Sequence, residues 1–225
     1  GNVIGKAIHL DEKDRKIAIM CGMSAGFAAL FGTPLAAGVF AMEVISIGVM
    51  YYAALVPCLF ASFLGAAISG KLGLVPEHYD IGAVPEFGLS GAVFAVVLGM
   101  LCACVGIFLC MILHQCGHLY RKYFPNPYLR VVAGAVIFIG LTLLFPSRLY
   151  NGSGAQIIER VFEGEAIPVY AFLLKILFTG VALGAGFKGG EIVPTLTVGA
   201  AFGYAVALVT GLPVGLCASA GMACL

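Results

Sequence analysis

The residues best suited to chemistry lie in one stretch, Gly184-Ala185-Gly186-Phe187-Lys188-Gly189-Gly190-Glu191-Ile192-Val193-Pro194. It separates two apolar segments, which places it at membrane depth. Irregular backbone is tolerated there only where protein buries it or a polar cavity receives it. Glycines let the chain turn sharply and approach a small ligand closely. Pro194 suits the first turn of a following helix, where its missing N–H costs little. Glu191, Ile192 and Val193 then fall at a helix N-terminus. Unpaired backbone N–H groups and the positive end of the helix dipole point into the break. Such a place holds a small anion without a cationic side chain, and a cation would bind the ion too tightly for conduction. The candidate anion-binding residues are Gly189, Gly190, Glu191, Ile192, Val193 and Pro194. Two structural readings stand beside this one. The glycines alone make a hinge that lets helices pack closely, and Lys188 with Glu191 makes a local ion pair.

Glu43 and Lys175 are single charges inside apolar segments. Charges at such depth are costly and commonly line ion or proton pathways, so both are pathway candidates; pairing for structure is the alternative. His114 and His118 share a helical face but have no third ligand close in sequence, so they read as interfacial polar residues. The eight cysteines form no CxxC pair and read as small, buried apolar side chains. Paired carboxylates and HExxH are missing from the sequence, so an enzyme is not expected, nor any cofactor or metal.

These residues sit in a chain that water cannot solvate. Of its 225 residues 61% are hydrophobic and 10% charged, and its mean hydropathy is +1.07. Soluble domains typically carry about 25% charged residues. Lipid must therefore be part of the solvent. The net charge of +1, with no basic run, excludes nucleic acid as a partner. The charged run from Leu10 to Lys16 reads as a connector. Between Ile17 and Gly70 the only charge is Glu43, and Gly32-Thr33-Pro34 and Pro57 break this stretch into helices near 17–31, 34–50 and 52–70. Residues 71–88 form an aqueous loop. A long tilted helix follows from Leu89 to Leu119, a turn at Phe124 to Pro127, and an apolar helix from Val131 to Phe145. Asn151 to Gly154 is a flexible break before the amphipathic stretch Ala155 to Phe162. Apolar segments at Ala171 to Ala185 and Pro194 to Thr210, and a last helix from Val214, complete the chain. Uneven, interrupted spans of this kind belong to channels and transporters built from broken helices.

Two of these segments resemble motifs of the CLC family of chloride channels and anion/proton antiporters. Gly190-Glu191-Ile192-Val193-Pro194 is similar to that family's GxFxP anion-binding loop. Phe27-Ala28-Ala29-Leu30-Phe31-Gly32-Thr33-Pro34-Leu35-Ala36-Ala37-Gly38-Val39-Phe40-Ala41-Met42-Glu43 resembles its F-x-x-P-[LI]-[AG]-x-x-x-F-x-x-E segment. Gly1 to Gly5 looks like the run after the family's GK/REGP motif. Gly152-Ser153-Gly154 falls where the family has a glycine-rich break, and Lys175 where it is often basic. The resemblance implies an all-α integral membrane domain of tilted and broken helices with inverted repeats. It implies backbone N–H groups of Glu191 and Ile192 on the anion. It also implies a homodimer with one pore per subunit and helices near 34–70 partly at its interface, in the plasma (inner) membrane of a prokaryote. Residues 1–225 would be the central part of one such domain, truncated at both ends and incomplete in this chain, and unable to conduct alone. The departures matter. Ile192 replaces the loop's Phe, and Val44 stands where antiporters carry a second Glu. The loop is similar to that of the fluoride-exporting branch, which usually has Thr where Val193 stands. Chloride is the preferred ion, fluoride/proton exchange the alternative, and a non-conducting membrane scaffold the alternative of another class.

Overall fold

The computed structural model describes residues 2–7, 9–45, 51–76, 79, 81–82, 88–145 and 147–225. The described residues form helices and no strand, in two compact units, Gly1–His78 and Tyr79–Leu225.

The first unit holds α1 (Asn2–Ala7), α2 (Glu12–Phe31), α3 (Pro34–Ile45) and α4 (Leu55–Lys71). Of the run Leu10 to Lys16, expected as a connector, Glu12 to Lys16 instead begin α2, with Asp11 as its cap. The Asp11 carboxylate accepts from the Asp14 N–H at 2.8 Å, and Glu12 and Asp14 put negative charge at the positive end of the helix. The helix stops at Gly32, and Pro34 opens α3. The helix expected over 34–50 is seen to Ile45; residues 46–50 lie outside the described residues. Pro57, expected to kink or break its segment, falls in the first turn of α4 and does neither. The N–H that proline lacks has no helical partner at that position.

Hydroxyls join α2 to α4 across this unit. Ser24 Oγ donates to the Cys58 carbonyl at 3.0 Å, and Ser69 Oγ donates to the Ala29 carbonyl at 3.2 Å. Outward, α4 shows Val56, Phe60, Phe63 and Leu64. Their spacing makes one apolar stripe, which lipid or another protein surface must cover.

The second unit holds α5 (Leu89–Tyr123), α6 (Pro127–Leu144), α7 (Ala155–Phe162), α8 (Ala171–Ala185), α9 (Ile192–Thr210) and α10 (Val214–Cys224). Its centre is α8, packed against α5, α6 and α9. Gly180 and Gly184, one turn apart, face Ile112 and Cys116 of α5 so closely that a Cβ on either would sit 2.9 Å from a side-chain carbon. In lipid, close backbone approach through small residues replaces the hydrophobic drive that packs helices in water. The amphipathic α7 buries Ile157, Ile158 and Val161. The outer face of α5 exposes Cys104 and Cys110, and Cys224 is also exposed, so three of the cysteines expected to be buried are not. A thiol facing lipid is as well accommodated as one in a protein core, so sequence apolarity does not separate the two.

Among the described residues four helices are long and apolar enough to cross a membrane: Tyr52–Lys71, Gly91–Tyr123, Pro127–Leu144 and Ile192–Thr210. The helix α5, 35 residues long, extends about 52 Å at 1.5 Å per residue. That exceeds a hydrocarbon core of about 30 Å, so it must tilt or emerge from it.

Candidate anion site

The helix α8 ends in a glycine stop. Gly186 adopts φ +97°, its N–H donates to the Leu183 carbonyl at 3.0 Å, and the Phe187 N–H donates to the Ala182 carbonyl at 3.3 Å. This is the paired 5→2 and 6→1 closure that favours glycine. The chain then runs as non-helical backbone through Gly190 and re-enters helix at Ile192. The first bond of α9 goes from the Thr195 N–H to the Glu191 carbonyl, at 3.0 Å. The N–H groups of Glu191, Ile192 and Val193 have no hydrogen-bond partner among the described residues. Pro194 is buried one residue further on, in the first turn. The expected helix start is therefore present, with its donors free.

A cavity of about 400 Å³ lies beside this start. Gly189, Gly190, Val193 and Pro194 line it from the loop and α9, and Lys175 and Thr179 line it from α8. Gly152 and Ser153 close it from the second glycine break. Two breaks 35 residues apart in sequence, read separately, thus share one cavity. Glu191 and Ile192 do not line it. Glu191 is exposed and faces other hollows, and it makes no ion pair with Lys188, so the local pair is not formed.

Lys175 is 1% exposed. Its Nζ donates to the Gly152 carbonyl at 2.8 Å and to the Tyr150 carbonyl at 3.2 Å. Among the described residues it has no carboxylate partner. Thr197 of α9 reaches the same break, its Oγ1 donating to the Val193 carbonyl at 2.9 Å and lying 3.4 Å from the Ser153 carbonyl. Between these two side chains lies Gly154, at φ +92°, where a Cβ would stand 2.7 Å from Lys175 Cε and 2.8 Å from Thr197 Cγ2. Only glycine fits that conformation and that space. Lys175 and Thr197 therefore clamp the 151–154 break onto α8 and α9. Thr197 and Tyr150 were not visible as site residues in the sequence: a threonine in an apolar helix and a tyrosine after a turn carry no local signal.

Glu43 lies in the first unit, near the end of α3, with its side chain exposed. His114 and His118 are likewise exposed along α5.

The whole chain, residues 1–225, matches the family described as voltage gated chloride channel. The chain belongs to the CLC family. A crystal structure of a CLC-type fluoride/proton antiporter superposes with a TM-score of 0.91 at 34% identity, covering 98% of this chain and 55% of that one. The CLC membrane fold is therefore the fold of this chain, which is an integral membrane protein. A chloride/fluoride channel protein of Pseudomonas syringae pv. tomato is 35% identical over 219 residues, 95% of this chain and 48% of that protein. The H(+)/Cl(-) exchange transporter ClcA of Vibrio cholerae is 26% identical over 222 residues, 93% of this chain and 46% of that protein. The chain spans about half the length of the curated relatives it matches.

Proposed function

We propose that this chain forms the central part of a CLC anion pathway, in which a halide passes the start of α9 and no covalent chemistry occurs. The observation that carries this reading is the set of free N–H groups at Glu191, Ile192 and Val193, next to a cavity shared by two glycine breaks. Neutral donors at a helix start attract an anion yet release it. Chloride is the first reading of the ion. Fluoride/proton exchange is the second, and one observation supports it: the solved fluoride/proton antiporter is 34% identical and a relative named for chloride and fluoride together 35%, against 26% for the chloride exchanger. The protein works as a homodimer in a prokaryotic plasma membrane, and the outward stripe of α4 supports a protein contact there.

The test is anion efflux from liposomes holding the protein that carries this chain, with chloride and fluoride compared, each with and without a pH gradient. Chloride efflux indifferent to the gradient fits Val44 in place of a second internal Glu. Fluoride efflux that drives protons the other way assigns the second reading. Absence of both fluxes rejects an anion pathway. A variant separates pathway from scaffold. At Gly190 no heavy atom lies within 4 Å of an added Cβ, so Gly190→Val should fold normally. The bulk would narrow the approach to the α9 donors, and flux should fall at least about tenfold, one lost hydrogen bond to a charged group. Unchanged flux with an unchanged Tm would favour a scaffold.

A further inference from the structure

A second cationic hollow lies at the elbow between α5 and α6. It has a volume of about 360 Å³, and Arg121, Arg130, Gly117, Gly186 and Glu191 contribute to its lining. Arg121 stands in the last turn of α5, and its Nε donates to the Gly117 carbonyl at 3.2 Å. Arg130 stands in the first turns of α6 and lies against the C-terminal end of α8, with Nε and Nη2 3.8 Å from where a Cβ on Gly186 would be. The negative end of the α8 dipole favours a cation there. It does not satisfy one. The Arg130 guanidinium makes no hydrogen bond and no ion pair among the described residues, and its Nε is shut off from solvent without an acceptor. A buried donor left unmade is expensive, so an acceptor belongs in this space.

The place of the elbow says which acceptor. The helices α5 and α6 are both long enough to span, and residues 124–126 join them, so the elbow lies at one membrane face. Exposed Tyr123 and Tyr128 flank it, with Lys122 beside them. Tyrosine and basic residues concentrate at the level of the lipid headgroups. Two guanidinium forks at that level match the geometry of a phosphate, whereas a spherical halide gains nothing from a fork.

We propose that Arg121 and Arg130 form a binding site for a phosphate oxyanion, either an anionic lipid headgroup or free phosphate. The Glu191 carboxylate lines the same hollow and repels such an anion, which couples occupancy to the loop that opens α9. The site is independent of which halide crosses the membrane.

The test uses the whole protein that carries this chain, in nanodiscs of phosphatidylcholine with phosphatidylglycerol, read by native mass spectrometry for retained phosphatidylglycerol, and in detergent titrated with inorganic phosphate. Arg121→Gln and Arg130→Gln should each reduce binding about tenfold, the loss of one charge-assisted contact. Arg130→Lys keeps the charge and loses the fork, and should also bind less at unchanged Tm. Lys13→Gln, an exposed charge on α2, should change nothing. If Arg130→Gln does not fold, the exposed Arg121 carries the test. Phosphatidylglycerol retention lost in the arginine variants assigns the lipid; phosphate binding without lipid retention assigns the free ion. Equal binding by all variants, or an equal loss in Lys13→Gln, would overturn the site.

Discussion

Gly203→Ala is expected to lower the Tm of the protein sharply, although alanine is the better helix former. The helices α9 and α10 meet through small residues: Gly199 and Gly203 on one, Cys217, Ala218 and Gly221 on the other. An added Cβ at 203 would run into the carbonyl of Cys217, with the Cys217 carbonyl carbon at 2.6 Å and Ala218 Cα at 2.8 Å. These are backbone atoms, so no rotamer change relieves the overlap, and the helices must separate. Overpacking costs about 1–3 kcal/mol, occasionally more, and a clash with rigid backbone belongs at the upper end. Helix propensity returns at most about 1 kcal/mol. The net loss should lower Tm by about 2–4 °C for each kcal/mol. Gly140→Ala is the matched control: nothing lies within 4 Å of its Cβ position, so it gains propensity without a clash. Thermal unfolding followed by size-exclusion chromatography in detergent measures both. Equal Tm values for the two variants would mean that α9 and α10 do not pack through these glycines.

The start of α9 was legible because its signals are local. Glycines at 189 and 190 with proline at 194 announce a break followed by a helix, whatever surrounds them. The same holds for the helices ending at Phe31 and Ala185, which stop at glycines. What the sequence hid is long-range. Lys175 meets a carbonyl 23 residues away, and Thr197 meets one 44 residues away, so neither contact leaves a pattern. Lys175 was rightly singled out as a costly buried charge, but its partners proved to be main-chain carbonyls, which no composition reports. The connector read over Leu10 to Lys16 failed for a different reason. Charge density alone suggests a loop, whereas Asp11, Glu12 and Asp14 are the residue types that favour a helix start. Arg130 gave no signal at all. In sequence it is one more basic residue after a turn, and only its dry, unpartnered Nε distinguishes it.

Lys175→Met is expected to separate transport from stability. Burying an ammonium without a carboxylate costs several kcal/mol, and the two carbonyl bonds at 2.8 and 3.2 Å offset part of that. Methionine fills a similar volume, removes the charge and removes the bonds together. The carbonyls of Tyr150 and Gly152 then lose their donor, at about 1–3 kcal/mol each. Relief of the buried charge and loss of the two bonds act in opposite directions, so Tm should move little. The 151–154 break does not share in that cancellation. Lys175 holds it against α8 and Thr197 against α9, with only a long 3.4 Å bond from Thr142 to Asn151 on the α6 side, and losing the first hold loosens one wall of the cavity that the anion loop shares. Halide flux in liposomes should therefore fall about tenfold or more, the effect of roughly 1.4 kcal/mol of lost positioning. Gly154→Ala attacks the same junction from the other side, because its Cβ would strike both Lys175 and Thr197 at a φ that alanine resists. It should lose flux and Tm together. If Lys175→Met instead lost Tm while the surviving folded protein kept its flux, the lysine would be a strut for the fold alone, and the break it holds would have no part in the pathway.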